Sequence, residues 1–523
     1  MISSPESLYE RERIFNKQDT NAPPRIGMCF SGGGNRSAAF AIGVMRALHE
    51  RDLLGKIDVI SAVSGGTYAL SWFLLQPIYH RANNEISPTK LREIQDEMFD
   101  LDGPFQRYLV DNAKPLGATN WISLLLQMAV TLPFDFVLFN ALRIFSLPLA
   151  GGSRAANFTN LLNAQSMSRK SYRDGIQRSY HVFPDLKNKA PVEKLGFWEK
   201  SFAASEHLAL TRADVPPVSF PALTEFAQRA KLPSFVFNTT VRPPRPDSRI
   251  PLGQRIFEIG PMGLGSNSCG YLAWDNTEGL GWEPSAPVEP GWMFRAFRRA
   301  ANRERPTSAV SPFATIRNVN VAPAVSGAAL SGTNIEGTRI RWLLQLFNLG
   351  LEYVVPSPAD NYRAVRLSDG GHSENLGAFA LLRRRCSTII VVDAEHDPSY
   401  QFGAYRTLKQ AAKRELGIKI EVPGLDGILD KSAEFKADTP IHEGTTTFDD
   451  NHRGKIYYLK LSKHAALLGD QAPIIDAYAE HHHRFPQEPT SDQYFEAPQF
   501  EAYRALGCAI ARTLPADVAG QPT

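Results

Sequence analysis

Three stretches of this chain predict an α/β fold with a central, mostly parallel β-sheet flanked by helices. Arg25 to Phe30 (RIGMCF) is a short strand that runs into a triple glycine and then a small-residue helix, Ser37 to Arg51. Lys56 to Leu75 repeats the plan. Ile57, Val59, Ile60 and Val63 give strand character, Ser64-Gly65-Gly66 gives a turn, and an apolar helix follows from Tyr68. Ser387 to Asp393 (STIIVVD) is almost wholly apolar, as strands buried on both faces are.

The bulk properties set limits. A length of 523 residues allows two or three domains, or one large α/β domain with insertions. The hydrophobic share, 43%, is enough for a sizeable core. A net charge of +3 gives no argument for a nucleic-acid partner. Cys29, Cys269, Cys386 and Cys508 are far apart and form no C-x-x-C pair, which argues against a disulfide framework or a zinc site. The first residues are polar, without the apolar run of a signal peptide, and no window of about 18 apolar residues predicts a membrane span. A cytoplasmic protein is expected, with peripheral membrane contact as an option.

In chain order, residues 1–24 read as a solvated N-terminal arm. The glycine stretch Ser31 to Arg36 (SGGGNR) sits between a strand and a helix, an arrangement that binds anions through bare amides and the helix N-terminus. A dinucleotide fingerprint would need glycine at Ser37, and an acid closing the next strand, where Ser64 stands instead. A phosphate-binding P-loop lacks its G-K-[ST]. What remains is an oxyanion hole one helix ahead of a serine. That serine, Ser64, lies on a sharp strand-to-helix turn of nucleophile-elbow type, with Ala62 where the usual pattern has a glycine. An ordinary Ser-Gly-Gly turn is the competing reading.

Residues from about 81 to 230 predict a helical insertion, with one helix at Pro88 to Asp100. Within it, Trp121 to Leu149 carries only Asp135 and Arg143 as charges and is divided by Pro133 and Pro148. Two core helices are the favoured reading, and a lid or lipid-facing surface the alternative. Pro233 to Thr240 is a strand that brings Asn238 and Thr239 to the carboxyl end of the sheet, for structural hydrogen bonding. Gly253 to Gly291 reads as an irregular loop. Gly291 to Pro306 is helical, with Arg295, Arg299 and Arg303 on one face; a solvated surface is favoured over an anionic membrane contact.

Small residues from Ala314 to Ser331 suit close packing, and Arg339 to Leu351 looks helical. Ala364 to Leu367 is a short strand leading to SDGGHSENLG, Ser368 to Gly377, where Asp369 is held by two glycines before a helix, Ala378 to Arg385. A C-terminal extension from about 400 to 523 holds a helix at Tyr405 to Leu416 and an alternating strand at Lys455 to Leu461. A last helix near Pro498 has Phe500, Tyr503, Gly507 and Ile510 on one side. His481, His482 and His483 are consecutive and cannot all face one metal from a helix or strand, so an exposed loop is expected.

Taken together, SGGGNR, AVSGG and DGG resemble the patatin-like phospholipases, including the related cytosolic phospholipases of A type. The likeness covers Ser31 to Leu48, Ser61 to Phe73, Leu367 to Asp393 and, in part, Phe485 to Gly507, and is slight over about 80–230. It implies a patatin-like fold, forming a single catalytic domain over residues 25–523. It implies a Ser–Asp dyad without a histidine base, with Ser64 as nucleophile and Asp369 as proton acceptor. The amides of Gly32, Gly33 and Gly34, helped by Gly65, would hold the oxyanion. Arg36 would steady the loop or meet a lipid phosphate, with a salt bridge to a nearby acid as its alternative. The implied activity is hydrolysis of lipid acyl esters through an acyl-enzyme, on a lipid or phospholipid substrate, with no metal or organic cofactor. His372 is a rival base, and Asp393 is read as structural. An acyltransferase with the same dyad, or a silent lipid- or partner-binding protein, are the rival functions.

Overall fold

A computed structural model describes residues 5–15, 26–79, 87–112, 180, 220–242, 251–268, 270–273, 353–356, 364–430, 439–450, 452–490, 492, 495–515 and 518. Among them, twelve strands form one mixed sheet. They are β1 (Ile26–Phe30), β2 (Val59–Val63), β3 (Ser234–Arg242), β4 (Ile256–Ile259), β5 (Gly263–Ser266), β6 (Gly270–Ala273), β7 (Tyr353–Pro356), β8 (Ala364–Asp369), β9 (Thr388–Asp393), β10 (Lys419–Glu421), β11 (Ile441–Thr447) and β12 (Arg453–Lys460). The order is β10-β11-β12-β9-β1-β2-β3-β4-β5-β6, with β8 also on β3 and β7 on β8. The centre, β12-β9-β1-β2-β3, is parallel throughout. The flanks are antiparallel, so the expected mostly parallel core is present.

The apolar runs of β1, β2 and β9 are explained by burial on both faces. Side chains alternate across a strand. Met28 and Phe30 join one hydrophobic cluster, with Ile60, Phe235, Ile390 and Leu459; Cys29 joins a second, with Val59, Val236, Ile389 and Tyr458. The described helices are α1 (Pro5–Phe15), α2 (Gly34–Glu50), α3 (Gly66–Tyr79), α4 (Pro88–Phe99), α5 (Pro104–Asn112), α6 (Phe220–Arg229), α7 (Ala378–Arg383), α8 (Gly403–Leu416), α9 (Ala472–His481) and α10 (Ala497–Arg512), besides the short helices Leu252–Arg255 and Pro423–Leu429 and four three-residue 3-10 turns. Helices α2 to α6, α9 and α10 contribute to the first cluster, α7 and α8 to the second. This is a three-layer α/β arrangement.

Two glycines let α2 and α10 touch backbone to backbone. A Cβ on Gly43 would collide with the Arg504 carbonyl, and one on Gly507 with the Phe40 carbonyl. The glycine of α10, placed by sequence on one side with Phe500 and Tyr503, therefore marks the contact that holds α2, the helix behind the glycine stretch.

Two expectations are corrected. Residues 5–15 are not a solvated arm but helix α1, whose Leu8 and Glu12 are buried. Its charge finds partners inside: Arg384 donates to Glu12 Oε2 at 2.6 Å and Oε1 at 2.9 Å, and also to Glu258 Oε2 at 2.8 Å. The stretch read as irregular from Gly253 holds β4, β5 and β6, four residues each. Strands this short, interrupted by Gly265 at φ 153° and Gly270 at φ 80°, leave no readable alternation. The 121–149 tract, the 291–306 arginine helix, and residues 314–331 and 339–351 lie outside the described residues. Among the described residues no helix is long and apolar enough to cross a membrane. His481, His482 and His483 are exposed, and no group of potential ligands is arranged to hold a metal ion among the described residues.

Candidate active site

Ser64 follows β2 directly and precedes α3. Its φ is 48°, the left-handed region that a residue with a side chain seldom adopts. The strain fits a sharp strand-to-helix turn that lifts the hydroxyl off the sheet. The turn closes through Thr67 N to Ser64 O at 2.9 Å and Tyr68 N to Gly65 O at 3.1 Å. A Cβ on Gly65 would collide with the backbone of Gly34, and one on Gly66 would lie 2.7 Å from Phe30 O and 2.8 Å from Ser31 O. The serine turn and the glycine stretch thus interlock through positions without side chains. Ala62 is fully buried in the core cluster, and its methyl group is accommodated there.

The glycine stretch is fixed at both ends. Ser31 N donates to Val392 O at 3.1 Å, and Ala394 N donates to Ser31 Oγ at 2.8 Å, which ties it to the end of β9. Gly33 has φ 146° and Gly34 φ 61°, conformations that suit glycine. Helix α2 begins at Gly34, whose backbone lies against Gly65, so the positive end of its dipole sits beside the serine turn. The Gly32 amide, however, is already spent: it donates to the Asn375 carbonyl at 2.8 Å.

Asp369 ends β8. Strand β3 is the go-between: it pairs Asn238 with Val63 of β2, and the next residue, Thr239, with Asp369. The carboxylate therefore lies beside the serine turn although 305 positions separate the two in sequence. Ser64 Oγ donates to Asp369 Oδ2 at 2.7 Å, and Gly371 N donates to Oδ1 at 2.7 Å. Both carboxylate oxygens are engaged while Asp369 is only 5% exposed. Burial pushes its carboxyl up to about 6, against the two hydrogen bonds, which hold it down. Asn238 is structural: its Nδ2 donates to Ser61 Oγ at 2.8 Å and Ala62 O at 3.0 Å, bracing the strand beneath the serine.

The remaining sequence candidates take other places. Arg36 is 2% exposed. Its Nε donates to Ala394 O at 3.0 Å, one terminal nitrogen to Glu488 O, and the other to Thr490 Oγ1 at 3.2 Å. Its partners are two carbonyls and a hydroxyl, and through them it fastens α2 to the C-terminal segment. His372 Nδ1 lies 3.2 Å from Ser368 Oγ, so the structure brings Asp369, and not His372, to Ser64. Asp393 is fully buried and accepts from Tyr458 Oη at 2.6 Å and Lys460 Nζ at 2.8 Å. Two residues beside the site were not singled out from sequence, Asn375 and Glu395. Asn375 lies inside the quoted SDGGHSENLG stretch, and Glu395 two residues past the end of β9. Only their contacts mark them.

A strained serine at a strand end thus lies within hydrogen-bond reach of a buried carboxylate and beside a helix N-terminus. No family model matches the chain, and no curated protein sequence matches it. Among solved structures it is similar to human GIVD cytosolic phospholipase A2, with a TM-score of 0.50 and 11% identity over 97% of this chain. The chain spans 64% of the length of that protein. The same human protein with methyl gamma-linolenyl fluorophosphonate gives a TM-score of 0.43 and 13% identity, covering 98% of this chain and 63% of that one. ExoU of Pseudomonas aeruginosa, in complex with SpcU, gives a TM-score of 0.18 and 15% identity, covering 47% of this chain and 36% of that one. The likeness to the human protein is one of fold: this chain has a patatin-like α/β fold.

Proposed function

We propose that this protein is a lipid acyl hydrolase of phospholipase A or lysophospholipase type that works through a Ser64–Asp369 dyad. The observation that carries the reading is the 2.7 Å hydrogen bond from Ser64 Oγ, on its strained turn, to the buried Asp369 carboxylate. The fold likeness to human GIVD cytosolic phospholipase A2 supports lipid as the substrate class.

The chemistry runs in two halves. Ser64 Oγ attacks the ester carbonyl carbon as its proton passes to Asp369 Oδ2. The amides of Gly33 and Gly34, at the positive end of α2, and of Gly65 hold the developing oxyanion. Gly32 serves differently, because its amide is committed to Asn375. Collapse breaks the ester C–O bond, and the leaving alkoxide takes the proton back from Asp369, leaving an acyl-Ser64. Water then attacks this ester while Asp369 accepts its proton, and collapse returns the proton to Ser64 with release of the fatty acid. Arg36 acts in this scheme by fastening the loop, since its guanidinium is turned onto Ala394, Glu488 and Thr490.

The test is hydrolysis of a short-chain p-nitrophenyl ester and of mixed phospholipid vesicles by the wild type, Ser64→Ala and Asp369→Asn. Folding is checked by circular dichroism. Turnover by the wild type and a loss of at least about 1000-fold in both folded variants are expected. Full activity in Asp369→Asn would remove the dyad. No wild-type turnover, with no fluorophosphonate labelling of Ser64, would leave a lipid-binding protein without the reaction.

A further inference from the structure

Asn375 occupies the space between the two turns that matter. Its carbonyl accepts from Gly32 N at 2.8 Å. Its carboxamide oxygen fills the position a Cβ would take on Gly32, and lies 2.7 Å from the position of one on Gly371. A Cβ on Gly32 would also lie 3.3 Å from Ser64 Cβ, so Gly32 is the thin spacer between Asn375 and the nucleophile. On its other side, Asn375 Nδ2 donates to Glu395 Oε1 at 3.2 Å. Glu395 is placed by its own amide, which donates to Asp393 Oδ1 at 2.8 Å at the end of β9.

A carboxamide is nearly symmetric in shape, and its orientation has to be chosen by its partners. With the NH2 group turned away from Glu395, a carbonyl oxygen would face a carboxylate oxygen, and the bulkier donor end would press on the two glycine turns. The Glu395 oxygen that accepts from Nδ2 selects the observed orientation, whether the carboxyl is ionised or neutral. The second oxygen of Glu395, Oε2, is buried and has no hydrogen-bond partner among the described residues, so the group is held here at some cost in stability. Ser64, Gly371, Asn375 and Glu395 are all only partly buried, which sets the pair at the mouth of the site and not in the core.

We propose that Glu395 and Asn375 are a positioning pair: Glu395 orients the Asn375 carboxamide, and Asn375 sets the spacing between the glycine loop, the aspartate turn and Ser64. The proposal rests on the acyl-transfer reading of the Ser64–Asp369 site. Neither residue touches the reacting atoms, so loss of the pair is felt in kcat and little in KM. The charged and titratable groups around Glu395 are Asp393, Asp397, Lys460, Tyr458 and Arg36. Burial and the Asp393 carboxylate push Glu395 up to about 7, against the pull of Lys460 and the Asn375 hydrogen bond. An ionised Glu395 adds negative charge beside a loop that must hold an oxyanion, so activity bends downward above about pH 7.

The experiment compares wild type, Ser64→Ala, Glu395→Ala and Glu395→Gln on a soluble p-nitrophenyl ester, with kcat and KM measured from pH 5 to 9 and thermal unfolding in parallel. Glu395→Ala is expected to lose kcat by up to about 100-fold, as a misplaced donor does, with KM within about 3-fold. Glu395→Gln keeps an acceptor for Asn375 Nδ2 and cannot ionise. It should retain most of the wild-type kcat near pH 6.5 and lack the alkaline bend. A folded Glu395→Ala with wild-type kcat, or a folded Glu395→Gln as impaired as Glu395→Ala, would overturn the pair while leaving the dyad standing. A wild-type profile flat above pH 7 would overturn the electrostatic part. If the wild type itself shows no turnover that Ser64→Ala abolishes, the acyl-transfer reading fails, and the pair fails with it.

Discussion

The aspartate beside Ser64 is caught between two demands. As the base of the proposed reaction it must be ionised, and as a buried group it resists ionisation. With its carboxyl raised to about 6, kcat/KM is expected to fall as pH drops through about 6 and to be lost in Asp369→Asn at every pH. For stability the sign is reversed. The folded value lies above the unfolded one, so the favourable contribution is full below about pH 4 and is lost as pH rises through about 6. A shift of about two units corresponds to about 3 kcal/mol. Asp369→Asn is therefore expected to unfold at a higher temperature than the wild type at pH 8, and at a similar one at about pH 4. Its carboxamide still accepts from Gly371 N, and its NH2 can donate to Ser64 Oγ. Thermal unfolding at the two pH values decides; a variant less stable at pH 8 would mean the carboxylate is better solvated than its burial implies.

Among the elements, the α2–α10 contact is the one with least slack. Gly43 and Gly507 each lie against a carbonyl of the other helix, so an added methyl has no flexible side chain to displace. Gly507→Ala or Gly43→Ala should cost about 1–3 kcal/mol, read as a lower urea midpoint. Because α2 carries Gly34 and Arg36, the same variants should also lower kcat; an unchanged midpoint would show that the helices part freely. The elements easiest to read from sequence were those whose residues answer to one pressure. Strands β1, β2 and β9 are buried on both faces, and the turns at Ser64 and Asp369 are marked by paired glycines. Strands β4 to β6 carry no such mark, being short and glycine-broken. Asn375 and Glu395 were unreadable for another reason: their meaning lies in which chain segments β9 and β8 bring together.

At the scale of the molecule, α1 shows how a polar segment becomes interior. Glu12 looks solvent-seeking until Arg384, 372 positions away, is folded against it. Arg384 also meets Glu258 and stacks over Tyr9, 4.4 Å from the ring centre, while Arg383 donates to Glu258 Oε1 at 2.9 Å. Glu12→Ala would leave Arg384 sharing a single carboxylate inside, and is expected to destabilise the fold by about 3–5 kcal/mol in denaturant unfolding. A loss under about 1 kcal/mol would show that α1 is only loosely attached. The span between Ser64 and Asp369 has a kinetic consequence of its own. Bringing together residues 305 positions apart, with β3 between them, is expected to come late in folding. Chains not yet fully folded would then carry Ser64 without the carboxylate that the proposed reaction needs. In a refolding experiment, ester turnover should lag behind the recovery of helical signal, so that reactivity is switched on only in molecules whose sheet is complete.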